Sequence, residues 1–90
     1  MKIIALDGKQ MTTIQSCHEH LAAQLQLPSY YGKNLDALWD IVSTISEDTQ
    51  ITLSASVTML NALDTYGSRL LHLFFEADSE NPHVRFEPID

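Results

Sequence analysis

The spacing of three strand-like runs constrains this chain most, because each run is separated from the next by enough residues for two helices. The first is Lys2 to Leu6, an apolar run stopped by Asp7-Gly8, which reads as a buried strand leaving through a turn. The second, Gln50 to Ala55, alternates through Ile51 and Leu53, and the third, His83 to Ile89, alternates through Val84 and Phe86. Strands so far apart cannot close as hairpins and should pair in parallel through right-handed crossovers. Pro88 has no N–H for a ladder bond, so the last strand ends there or lies at an edge.

The intervening segments carry helical periodicity. Thr12 and Gln15 have capping-box spacing, which predicts a helix start at Thr12 or Thr13. Ile14, Cys17, His18, Leu21 and Leu25 then line one helical face, and Leu27-Pro28 ends it. Asn34 is a good N-cap for a second helix with Leu35, Leu38, Trp39 and Val42 as its apolar stripe. Ser56 is the expected cap of a third, carrying Met59, Leu60 and Leu63 and stopping near Gly67. Ser68 is the expected cap of a fourth, dense in Leu70, Leu71, Leu73, Phe74, Phe75 and Ala77, before Asn81-Pro82 breaks the chain. The order β-α-α-β-α-α-β predicts a small α/β fold: a three-stranded parallel sheet packed with four helices, in a single domain over residues 1–90.

Charge narrows the function. Twelve Asp and Glu against five Lys and Arg give a net charge of −7. Binding nucleic acid or an anionic membrane surface needs cations, so both are disfavoured, and a basic partner is the natural complement. Between Lys33 and Arg69 there is no Lys or Arg, while Asp36, Asp40, Glu47, Asp48 and Asp64 all lie there. Solubility alone also explains such a balance. Cys17 is the one cysteine, which excludes an internal disulfide and a cysteine metal cage; on the apolar stripe it reads as a small buried residue. The apolar start is too short for a signal peptide and no run is long enough to span a membrane, so a reducing cytoplasm is the simplest home. His18, on the apolar face, reads as a hydrogen-bonded core histidine, and His20 as solvated. His72 and His83 have no partner at metal-ligand spacing. No metal, no cofactor and no catalytic residue is expected.

The segment Leu27 to Asp40, LPSYYGKNLDALWD, is the most informative. Pro28, Gly32 and Asn34 punctuate a loop in which Gly32 is able to take a positive φ. Tyr30 and Tyr31 sit in that loop, and at least one should have its ring at the surface. Asp36 falls in the first helical turn, where the dipole favours an anion, and Asp40 is four residues on, on the same face. Like charges at that spacing cost a few tenths of a kcal/mol, so helix stability does not ask for the pair. Either both are plain solvated carboxylates or a cationic site lands on them. A third possibility is acid–base or metal work, but a convex helix face excludes no water.

This run resembles the signature of the barstar family, small intracellular inhibitors of extracellular-type ribonucleases. The family's YYG-NLDALWD pattern is matched from Tyr30 to Asp40 with one free position, Lys33. His18 and Leu21, Leu27-Pro28 and Phe74-Phe75-Glu76-Ala77 agree as flanking features, and the likeness is loose from Ile41 to Ser68. Ser43-Thr44-Ile45 departs from it, standing where the best-known member has a glycine and a second tryptophan. The resemblance implies a non-enzymatic inhibitor whose second helix and preceding loop plug the cleft of a basic ribonuclease. Asp40 would be the central anion in place of RNA phosphate, Asp36 would pair with a further cation, and Tyr30 would stack in the cleft. Gly32, Asn34, Leu35 and Trp39 would supply loop shape and contact area, and Glu76 a peripheral acidic contact. The alternative is an acidic interaction module of the same fold whose basic partner is not a ribonuclease.

Overall fold

The computed structural model describes residues 1–89; Asp90, the last residue of the expected domain, lies outside the described residues. Strands β1 (Lys2–Asp7), β2 (Thr49–Ser54) and β3 (Val84–Pro88) form one sheet in the order β1-β2-β3. Both pairings are parallel, with Ile4 beside Ile51 and Ile51 beside Phe86. Helices α1 (Ile14–Leu25) and α2 (Leu35–Val42) lie between β1 and β2 in sequence, and α3 (Ser56–Leu63) and α4 (Thr65–Glu80) between β2 and β3. The expected three-stranded parallel α/β architecture is therefore the one observed.

One face of the sheet is the core face. Ile4, Leu6, Ile51, Leu53, Val84 and Phe86 are buried, and Phe74 of α4 stacks on Phe86 with ring centroids 5.0 Å apart. Each such fully buried side chain contributes roughly 1.5–3 kcal/mol. The other face stays open: Ile3, Ala5, Arg85 and Glu87 are exposed, and Gln50 and Thr52 half-buried. Thus β1 is a half-buried strand and not the buried run its composition suggests. Parallel sheets are usually covered on both faces; here the helices cover one.

The elements form for local reasons, with corrections at their ends. The cap of α1 is Thr13, whose hydroxyl oxygen accepts the Ser16 N–H at 3.0 Å while the Ser16 hydroxyl oxygen accepts the Thr13 N–H. The reciprocal box therefore sits one residue later than Thr12 and Gln15, and Ile14 is exposed in the first turn. The helix ends at Leu25, with Gln26 left-handed at φ 55°. Helix α3 begins with Ser56 inside it and Ala55 left-handed before it, so Ser56 does not stand at the cap position. Gly8 closes on that turn so tightly that a Cβ there would meet the Ala55 carbonyl oxygen.

Helix α4 begins at Thr65, three residues before Ser68. Gly67 lies inside it and ends nothing. A single residue, Asp64, joins α3 to α4, and the absent side chain lets α4 press on α3: a Cβ at Gly67 would lie 3.0 Å from Met59 Sδ. Sequence reads glycine as a stop because both a helix end and a close approach ask for the same residue. Pro88 ends β3 on the edge of the sheet. Among the described residues no helix is long and apolar enough to cross a membrane.

Candidate functional site

The stretch from Leu27 to Asp40 forms an irregular loop followed by α2. The two adjacent tyrosines part company: Tyr30 is 87% exposed and Tyr31 only 7%. The loop turns at Pro28, whose carbonyl accepts the Tyr31 N–H at 3.0 Å. Gly32 does not use a positive φ; that conformation falls on Lys33, at φ 54°. Gly32 is small because the first turn of α2 is close: a Cβ there would lie 3.3 Å from the Ala37 Cβ. Asn34 caps the helix as expected, its Oδ1 accepting the Ala37 N–H at 2.8 Å and its Nδ2 donating to the Gly32 carbonyl.

Leu38 and Val42 bury one side of α2, and Leu35 and Trp39 are half-buried beside them. Asp36 and Asp40 are exposed, four residues apart on one face. Among the described residues neither carboxylate makes a hydrogen bond or an ion pair. The Asp40 carbonyl does have a partner, accepting the Thr44 hydroxyl at 2.7 Å. A groove of about 420 Å3 runs between α2 and α4, bringing together Leu35, Asp36, Trp39 and Glu76. Arg69 and His72 line it too, so it carries charge of both signs. The His72 ring stands 3.8 Å from Glu76 with both side chains well exposed, a contact that solvent screens heavily. Asn34 lies with Asp36 and Arg69 in a neighbouring recess, whereas Tyr30, Gly32 and Asp40 lie outside the groove.

Both ends of α2 are tied to distant parts of the chain. At the N-terminal end, the Tyr31 hydroxyl lies 2.7 Å from His18 Nδ1, and His18 Nε2 lies 2.6 Å from the Tyr66 hydroxyl. His18 has no exposed surface. Burial lowers its basicity, and the positive charge of Lys33 lowers it further. Burial likewise pushes the Tyr31 and Tyr66 phenols up, so the three groups form a neutral chain. Cys17 beside them is buried with its thiol raised to about 11. At the other end, buried Asn81 donates through Nδ2 to the carbonyls of Val42, Ser43 and Ile45 at 3.3, 3.2 and 3.0 Å. Val42 and Ser43 stand at the end of α2, where carbonyls lack an intrahelical donor, and Ile45 lies in the turn that follows.

The expected core histidine is thus His18, hydrogen-bonded on both ring nitrogens. His20 departs from the expectation of a solvated ring: it is half-buried and its Nε2 accepts the Asp7 N–H at 3.0 Å. His83 Nδ1 meets Asp48 at 3.0 Å at the surface. Sequence reasoning missed Tyr66, Arg69, His72 and Asn81, none of which stands within twenty residues of Asp40. Among the described residues no group of three or more His, Cys, Asp or Glu could hold a metal ion.

The arrangement offers an exposed tyrosine, two unengaged carboxylates and a shallow groove on a helix clamped at both ends. It suits binding, since nothing in it encloses a reacting group. Comparison with known proteins agrees with that reading: the sequence model of Barstar (barnase inhibitor) matches residues 1–87. A protein of Bacillus subtilis (strain 168) named "Putative ribonuclease inhibitor YrdF" is 32% identical over 81 residues, covering 89% of each chain.

Proposed function

This chain belongs to the barstar family, and on that footing we propose that it inhibits a basic ribonuclease by filling the enzyme's cleft with α2 and the loop before it. The observation that carries the reading is the pair Asp36 and Asp40, both exposed and neither engaged by a cation among the described residues. An enzyme that cuts RNA must hold cations where the phosphate sits. A carboxylate on a rigid helix accepts the same charge-assisted hydrogen bonds. Asp40 is the central anion in this proposal. Asp36 and Glu76 engage cations along the groove, Tyr30 stacks against the cleft wall, and Gly32, Asn34, Leu35 and Trp39 give the surface its shape. No bond is made or broken, so the protein acts by occupancy. Net charge of −7 speeds the encounter with a cationic enzyme, and salt weakens that steering.

The test titrates the protein into RNA-cleavage assays of barnase and other basic ribonucleases at low and moderate salt. Asp40→Ala should weaken inhibition about 10- to 100-fold, the loss of charge-assisted hydrogen bonds. Glu87→Ala, on the open face of the sheet, should change it less than about twofold. Equal losses from the two substitutions, or wild-type protein that inhibits none of the enzymes, would refute the proposal.

A further inference from the structure

The loop from Leu27 to Asn34 has little of its own to hold it. Its backbone bonds are few, and Lys33 occupies a left-handed conformation that a residue with a Cβ adopts only where its surroundings impose it. Yet this loop displays Tyr30 and supplies the cap of α2. Its buried anchor is the Tyr31 ring, whose hydroxyl lies 2.7 Å from His18 Nδ1. His18 in turn is bonded to Tyr66, forty-eight residues away on α4.

We infer that His18 and Tyr66 are positioning residues for the binding surface: the chain Tyr66–His18–Tyr31 latches the loop to α1 and α4 so that Tyr30 and α2 meet a partner already in place. The purpose of the latch rests on the inhibitor reading above, while its geometry does not. A neutral imidazole has one N–H and one lone pair. One tyrosine must therefore donate to the ring and the other accept from it, and each bond sets the tautomer that the other needs. Removing the Tyr66 oxygen lets the ring proton sit on either nitrogen, so Nδ1 loses its fixed donor or acceptor role toward the Tyr31 hydroxyl. Buried polar chains of this kind are worth having only when every member is satisfied. No buried side-chain nitrogen or oxygen among the described residues lacks a partner.

Amide hydrogen exchange on the free protein, read by NMR, tests the latch without any partner. In Tyr66→Phe the Tyr31 and Ala37 amides should exchange about fivefold faster than in wild type, the effect of one hydrogen bond, beyond any change at the core amides Ile51 and Leu70. Acceleration of loop and core by the same factor would mean a general loss of stability and would overturn the inference, as would no acceleration. His18→Phe removes both bonds at similar volume. It should weaken binding of barnase, used as probe, by at least about fivefold relative to Glu87→Ala. An opened loop with unchanged affinity would overturn the positioning role. If wild-type protein does not bind barnase, the inhibitor reading suffers, and the exchange arm still decides whether the latch exists.

Discussion

Asn81→Ala is the substitution with the sharpest structural expectation. The Asn81 amide brings its two N–H donors to three carbonyls, those of Val42, Ser43 and Ile45, and its Oδ1 accepts the His83 N–H at 2.9 Å. Two donors cannot fully serve three acceptors, so the side chain counts for about three hydrogen bonds, at about 1 kcal/mol each net. The residue is only 6% exposed, so water replaces the lost partners poorly. A loss of about 3 kcal/mol follows, a large share of the roughly 5–15 kcal/mol that holds a typical domain together. For a chain of this length it lowers the melting temperature by about 12–24 °C. Urea unfolding should show the midpoint fall with the slope unchanged. Asn81→Asp separates the two halves of the role. It keeps an acceptor for His83 but sets a carboxylate against three carbonyls, so it should be at least as damaging as alanine. An aspartate variant within about 0.5 kcal/mol of wild type would show that capping His83 is the main contribution, and the clamp on α2 would be refuted. The stake is functional as well, since a helix of eight residues is unstable by itself.

Stability should depend on pH through His18. Its folded-state basicity is depressed below the ordinary value of 6.5, so the unfolded chain binds the proton first. Stability from this group is complete above about 6.5 and drains as pH falls through the lower folded value; urea midpoints between pH 7.5 and 5 should fall in wild type. His18→Gln should flatten that slope in part, the remainder coming from His20, whose basicity burial also lowers; a slope unchanged by His18→Gln would contradict the assignment. Asp64→Gly should stabilise the protein. Asp64 joins α3 to α4 at φ 54° and ψ −127°, a corner that favours glycine, and its side chain makes no capping bond. Relief of roughly 1–3 kcal/mol of strain, less roughly 0.5–1 kcal/mol for a more flexible unfolded chain, leaves a gain of about 1 kcal/mol by urea unfolding. A loss of stability would sink that account.

Much of the architecture follows from short-range pattern. The separation of Lys2–Leu6, Gln50–Ala55 and His83–Ile89 compelled a parallel sheet, and the side chain of Asn34 marked the start of α2 because a cap is a local event. The run from Tyr30 to Asp40 carried the family likeness in contiguous residues, so a linear reading could find it. Asp36 and Asp40 could be placed on one face from helical spacing alone.

What periodicity could not supply is closure between distant residues. Nothing near Tyr31 says that it turns inward while Tyr30 faces solvent; that follows from a histidine 13 positions earlier and a tyrosine on α4. Gly67 read as a stop and proved to be a contact surface, because its reason lies in Met59 across the helix pair. Asn81 read as a chain breaker and proved to hold the end of α2 from 39 residues away. Helix and strand periods record which side of a segment meets the core. The partner of a buried polar atom is chosen by packing in three dimensions, where hydrogen bonds must be made to whatever group arrives.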